Sequence, residues 1–216
     1  MAGIGFSLRK LFQKKGIFNL CRAYGYAGLV CAGPMILGVV LLMSIAFLSQ
    51  LAGLPRHDRE LLNCMLTYCL LASLTTTSLF NMPVTRYVSD MLYEEKPRKI
   101  MPSLYGSIGI MLVGGCILWG IFLHFSGVRM VYKLLCLWFY AILIVTWMEM
   151  NFLTALKDYM VLVGDFAISL GLGLFMALLL VLFRRVSITT LFLCVIFAYG
   201  LLMTFYFRQL LKYFPN

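Results

Sequence analysis

The sequence predicts an all-α membrane protein, a bundle of six transmembrane helices preceded by a short amphipathic helix. Three observations predict it. Hydrophobic residues make up 62% of the 216 residues and charged residues only 12%, about half the charged share of an ordinary soluble domain. The mean hydropathy is +0.95. The apolar residues fall in long unbroken runs rather than in the alternating pattern of barrel strands. A bilayer core about 30 Å thick takes roughly 20 apolar residues per span. No water reaches that depth, so only helices and closed barrels satisfy their own backbone. Unbroken runs therefore mean helices.

The first element, residues 1–22, is not a span. Ile4, Leu8, Leu11 and Phe12 gather on one side of a helical wheel, Arg9, Lys10 and Lys14 occupy the rest, and Gly16 ends the pattern. Such a basic amphipathic helix lies on an anionic leaflet with its apolar stripe dipped into the interface. Six spans follow at about 23–51, 61–85, 104–126, 131–154, 161–183 and 188–207. The bundle is thus 23–207, with 208–216 as a tail. The first run is longer than a signal-peptide core and has no A-x-A site after it, so it is expected to remain as a span. The breaks between spans are short and polar; the longest, 86–102, carries Glu94, Glu95, Lys96, Arg98 and Lys99.

Topology follows from where Lys and Arg sit. Six of the 18 (Arg56, Arg59, Arg129, Lys133, Arg184 and Arg185) fall in one set of connections and the rest in the other set and the two termini. The positive-inside bias therefore puts both termini in the cytoplasm of a multi-pass inner-membrane protein. The net charge of +10 is read the same way. It does not point to nucleic acid, because no base-stacking motif and no soluble domain accompany it.

Several function classes lack their residues. The seven cysteines form no CxxC pair and have no histidine at a zinc-like spacing; they read as small packing residues. No nucleophile elbow, catalytic carboxylate pair, phosphate-binding loop or dinucleotide fingerprint occurs. An enzyme is not expected, nor is a metal or other cofactor.

Ionisable groups at membrane depth are the candidates that remain. Asp165 lies about 6 Å into the fifth span and Glu149 near the end of the fourth. Arg22, Arg86, Asp90, Lys157 and Asp158 fall at the same level, so that seven charges of both signs ring one mouth of the bundle. These are substrate-path candidates, lining a polar vestibule; alternatively they are headgroup-level charges that snorkel to water. Pro34, after Gly28 and Gly33, is a hinge candidate in the first span. The run Thr75-Thr76-Thr77-Ser78 either lines a wet path or bonds back to its own helix and neighbours. Gly106 and Gly109, Gly114 and Gly115, and Gly171 and Gly173 are expected to allow close helix approach.

Four blocks carry a family resemblance. They are Met1-Ala2-Gly3-Ile4-Gly5-Phe6-Ser7-Leu8-Arg9-Lys10-Leu11; Arg22-Ala23-Tyr24-Gly25-Tyr26-Ala27-Gly28-Leu29 with Gly33-Pro34; Thr85-Arg86-Tyr87-Val88-Ser89-Asp90 with Leu92-Tyr93-Glu94; and Ala155-Leu156-Lys157-Asp158-Tyr159. In this order they resemble the PelG family of Pel exopolysaccharide transporters. The resemblance implies the polysaccharide-flippase and MATE-like superfamily, whose two six-helix lobes alternate access around a central cavity. It implies an amino-sugar polysaccharide of biofilm matrix as substrate. It also implies two partners, a cytosolic glycosyltransferase and a membrane-bound cyclic-di-GMP receptor. The chain departs from the family by holding about half the expected spans, so it is similar to the N-terminal lobe only. A second six-helix half, or a second copy of the chain, is then needed to complete a path.

Two functions are thus expected from different classes. One is export of polysaccharide as one lobe of a flippase-like transporter. The alternative is a membrane scaffold that docks a glycosyltransferase through residues 1–15 and the 86–103 loop. A small cation-coupled antiporter is a third option, but it needs a deep carboxylate that the sequence does not place at the midplane.

Overall fold

Each long apolar run is a helix over its described part in the computed structural model, which describes residues 36–94, 97–154 and 159–214. The helices are α1 (Ile36–Leu51), α2 (Arg56–Tyr93), α3 (Ile100–Phe125), α4 (Met130–Thr154), α5 (Tyr159–Leu182) and α6 (Ile188–Tyr213), with a 3-10 turn at Pro97–Lys99. Helices α2 to α6 are each long and apolar enough to cross a bilayer. The chain is therefore an all-α membrane bundle. The N-terminal amphipathic segment and the first part of the first span, Arg22 and Pro34 included, lie outside the described residues.

Short turns make the helices run alternately up and down. After α1, Gly53 takes φ +71°. The Gly53 N–H donates to Gln50 O at 3.0 Å and the Leu54 N–H to Ser49 O at 3.3 Å, a paired closure that satisfies the last carbonyls of the helix. Arg184 closes α5 in the same way. Its N–H donates to Val181 O and the next to Leu180 O, both at 3.1 Å, with φ 52° on a residue that carries a Cβ. Helix α6 then opens at Ser187, whose backbone N–H donates to Thr190 Oγ1 at 2.8 Å. One end of the bundle, here the upper end, therefore holds the α1–α2, α3–α4 and α5–α6 turns. The lower end holds the ends of α2, α4 and α6 and the starts of α3 and α5.

Helix α4 is central. It packs against α2, α3 and α6, and α5 leans on α6. Lipid tails are as apolar as leucine, so helices in a bilayer are held by close packing and by bonds between them. Helices α2 and α4 have three such bonds. The Cys69 thiol donates to Cys136 O at 3.7 Å, the Thr76 and Tyr140 hydroxyls share a bond of 2.8 Å, and the Trp147 indole N–H donates to Ser73 Oγ at 3.1 Å. Between α4, α5 and α6 an aromatic cluster turns on Tyr199. Its ring meets Phe139, Phe166 and Trp147 edge to face at 5.5, 6.1 and 6.5 Å between centroids, the geometry that ring quadrupoles favour.

Two of the six expected glycines permit close approach. A Cβ on Gly173 would stand 2.5 Å from the Ala198 Cβ, and one on Gly115 would stand 2.9 Å from the Tyr140 hydroxyl. Gly106, Gly109, Gly114 and Gly171 have open space at that position among the described residues.

Helix α2 differs from its expected span. It runs unbroken through Pro83 to Tyr93, so residues 86–93 are helix where the sequence reads as a connection. Proline costs one backbone bond, here that of the Leu79 carbonyl, and a long helix absorbs it. No second proline follows until Pro97. Helix α6 likewise carries on past 207 to Tyr213.

Candidate functional site

Of the seven residues expected at one mouth, the structure describes four. Arg22, Lys157 and Asp158 lie outside the described residues. Arg86 and Asp90 sit one turn apart on the lower extension of α2, with side chains 86% and 63% exposed and 4.0 Å between Nε and Oδ2. A pair so exposed is worth little, because water screens it. Glu149 and Asp165 are different. Glu149 is 2% exposed and Asp165 is half-buried.

Glu149 reaches this place because α4 is the central helix. In its lower half Thr146, Trp147, Met148, Glu149, Asn151, Phe152 and Leu153 are all buried, so nearly every side direction meets a neighbour. The Glu149 Oε2 atom has no hydrogen-bond partner among the described residues. A carboxylate held dry and unpaired is costly. The position therefore calls for a donor: a proton, a ligand hydroxyl or a ligand ammonium.

One turn further down, Leu153 of α4 meets Leu162 and Asp165 of α5 and Tyr206 and Gln209 of α6 around a cavity of about 10 Å³. That is room for about one water. Gln209 and the Asp165 carboxyl line this cavity together, and Asp165 Oδ2 has no hydrogen-bond partner among the described residues. The Tyr206 hydroxyl donates to Leu162 O at 3.2 Å. Leu162 is four residues before Phe166, so this bond ties the first turns of α5 to α6. The buried Tyr199 hydroxyl, two turns above Tyr206, also lacks a partner among the described residues. Three unsatisfied oxygens, on Glu149, Asp165 and Tyr199, thus belong to the three helices that meet in the lower half.

Tyr199, Tyr206 and Gln209 were not singled out from the sequence. Twelve tyrosines give no reason to choose these two, although 199 and 206 are seven apart and share a helix face. The hydroxyl run on α2 resolves to back-bonding. Thr75, Thr76 and Thr77 donate to Leu71, Ala72 and Ser73 carbonyls at 2.8 to 2.9 Å, and Ser78 donates to Thr75 O at 2.7 Å. Only Thr76 adds a bond to a neighbour. Among the described residues Cys64, Cys69, Cys116, Cys136 and Cys194 are free thiols.

The two carboxyls lie in a bundle whose helices α2 to α6 are each long and apolar enough to cross a bilayer. The chain matches no curated protein and no solved structure. It does match a family model, described as "PelG: Putative exopolysaccharide Exporter (EPS-E)", over residues 1–216. Its substrate class is accordingly polysaccharide and its setting is lipid. Matched along its whole length and built of helices that span a membrane, the chain is a multi-pass membrane protein that belongs to the PelG family of exopolysaccharide exporters.

Proposed function

We propose that the chain forms one lobe of a flippase-like exporter, and that the lower ends of α4, α5 and α6 line the cytoplasmic mouth of its path. The observation that carries this reading is Glu149, buried on the central helix with an oxygen that no described residue satisfies. Asp165, one helix away, offers a second open oxygen. Such groups suit a polymer of amino sugars, whose hydroxyls and ammonium groups donate. The second lobe is another six-helix half or a second copy of the chain. The two lobes rock about the cavity between them. Arg86, Asp90, Lys157, Asp158 and Arg22 belong to the rim of this mouth, and Pro34 to its hinge.

Reversal of charge tests it. Glu149→Lys and Asp165→Lys are each expected to abolish secreted polymer in cells where immunoblotting shows a normal level of the protein in the membrane. Glu149→Gln keeps the shape and one acceptor oxygen, and is expected to reduce secretion less. Undiminished secretion by both lysine variants removes these residues from the path.

The scaffold reading draws on a different observation. Thirty-eight residues of α2 span about 57 Å at 1.5 Å per residue, well beyond a core about 30 Å thick. The last turns of α2 and the turn Pro97–Lys99 carry exposed Arg86, Tyr93, Arg98 and Lys99. This protruding knob, together with residues 1–15, would dock the glycosyltransferase. Co-purification of that enzyme, lost on charge reversal at Arg86, Arg98 and Lys99 yet kept by Glu149→Lys, would favour docking over conduction.

A further inference from the structure

The upper end of the bundle holds a second polar feature. Between the end of α1 and the start of α2 lies a groove of about 400 Å³, lined by Phe47 and Gln50 of α1 and by Arg56, Arg59, Glu60 and Asn63 of α2. Its volume falls within the range of small-molecule sites. The four α2 residues stand at i, i+3, i+4 and i+7, so one helix face presents them all. Arg56 Nε donates to Glu60 Oε1 at 2.7 Å. Arg59 Nε is buried and has no hydrogen-bond partner among the described residues. Phe47 is 61% exposed, an aromatic face held open beside these polar groups.

We propose that this groove is a saccharide-binding subsite at the end of the bundle opposite Glu149 and Asp165. The inference rests on the export reading for its substrate class and adds a place where the sugar chain is held. The chemistry matches. The amides of Gln50 and Asn63 each donate and accept, as neighbouring hydroxyls require. Arg59 brings guanidinium N–H donors to the groove wall. Phe47 offers an apolar surface to the C–H face of a pyranose ring. Charge argues against an anion: the Glu60 carboxylate stands inside the groove and already occupies Arg56. A phosphate or uronate would meet that carboxylate, whereas a hydroxyl or acetamido oxygen would not.

The test is binding to the chain in lipid nanodiscs, since a maltoside detergent would compete through its own sugar. Titration calorimetry with cellotetraose, and with the N-acetylated tetrasaccharide of the same linkage, is expected to show saturable binding of at least one. Arg59→Gln and Phe47→Ala should each weaken it about tenfold or more, the loss of one bond to a charged donor or of one stacked face. Arg129→Gln, the same change of charge at the same end but outside the groove, should leave it unaltered. Phe47 is exposed, so its variant keeps the test open if Arg59→Gln lowers the unfolding temperature. Absence of saturable binding by either tetrasaccharide overturns the subsite, as does binding that both variants leave intact. Binding of inorganic phosphate that Arg59→Gln removes and Phe47→Ala does not would make the groove an anion site, and so also overturn it. None of these results depends on secretion, which tests the mouth at Glu149 separately.

Discussion

The two ends of the bundle carry similar polar residue types in opposite surroundings. At the lower end, α4, α5 and α6 close on a cavity of about 10 Å³, with carboxyl oxygens left unsatisfied. At the upper end, α1 and α2 part around about 400 Å³, where Arg56 and Glu60 pair in full contact with water, their side chains 85% and 62% exposed. What differs is helix spacing. Gly173 lets α5 press on α6 at Ala198, and an aromatic cluster on Tyr199 fills the space between α4, α5 and α6. Charged and amide side chains line the α1–α2 junction. A charge costs little where water attends it and much where packing has expelled water. The lower end is therefore where a change of protonation or of ligand has leverage on helix packing.

The most damaging way to break the comparison is to force α5 from α6. Gly173→Leu would drive its side chain into Ala198 Cβ and the Cys194 carbonyl, which lies 3.3 Å from the Cβ position. Backbone cannot step aside as a flexible side chain can. The expected cost is about 3 kcal/mol or more, at the upper end of overpacking penalties. It should appear as a large drop in the unfolding temperature of the purified protein, while the same substitution at Gly171, which faces open space, should change it little.

The bond from Trp147 to Ser73 ties α4 to α2 above the lower cluster. Trp147→Phe keeps much of the ring and removes the donor. A loss of about 1 kcal/mol is expected, read in the same unfolding assay. Ser73→Ala should cost a similar amount, and the double variant should cost less than the two together, because both delete one interaction.

How much of this was legible depends on the kind of signal. Long apolar runs announce spans: α3, α4 and α5 are found within a few residues of their expected places, while α2 and α6 run on past theirs. Glu149 was legible because a charge inside an apolar run is conspicuous. Its burial was not, since that depends on which face of α4 meets α2, α3 and α6. Tyr199 and Gln209 hide among many like residues, and only packing selects them. The extension of α2 was missed because Pro83 and the polar residues after it read as a stop. The upper groove was missed because Arg56, Arg59 and Glu60 read as a topological break. Their signal was present all the same: Arg56, Arg59, Glu60 and Asn63 repeat at helical spacing just before the apolar run. Four of the six expected glycine approaches failed because a glycine permits contact without supplying a neighbour.

Tyr199→Phe sharpens the comparison in the opposite sense. The hydroxyl is buried with no partner among the described residues, while its ring makes the contacts that hold the cluster. Deleting an unsatisfied polar atom and keeping the shape should leave stability unchanged or raise it by about 1 kcal/mol. If the hydroxyl serves the path, secretion falls while the unfolding temperature holds or rises. If it is only part of the core, both stay level.

The smallest effect belongs to the α5–α6 turn at the upper end. Arg184 adopts φ 52°, a left-handed conformation that costs a residue with a Cβ about 1 kcal/mol and a glycine almost nothing. Arg184→Gly removes that strain but loosens the unfolded chain, so the two effects partly cancel. The paired bonds to Val181 and Leu180 carbonyls involve only backbone and survive the change. A rise in unfolding temperature of at most a degree or two is therefore expected. A clear fall would mean that the Arg184 side chain, not the turn geometry, holds the top of α5 against α6.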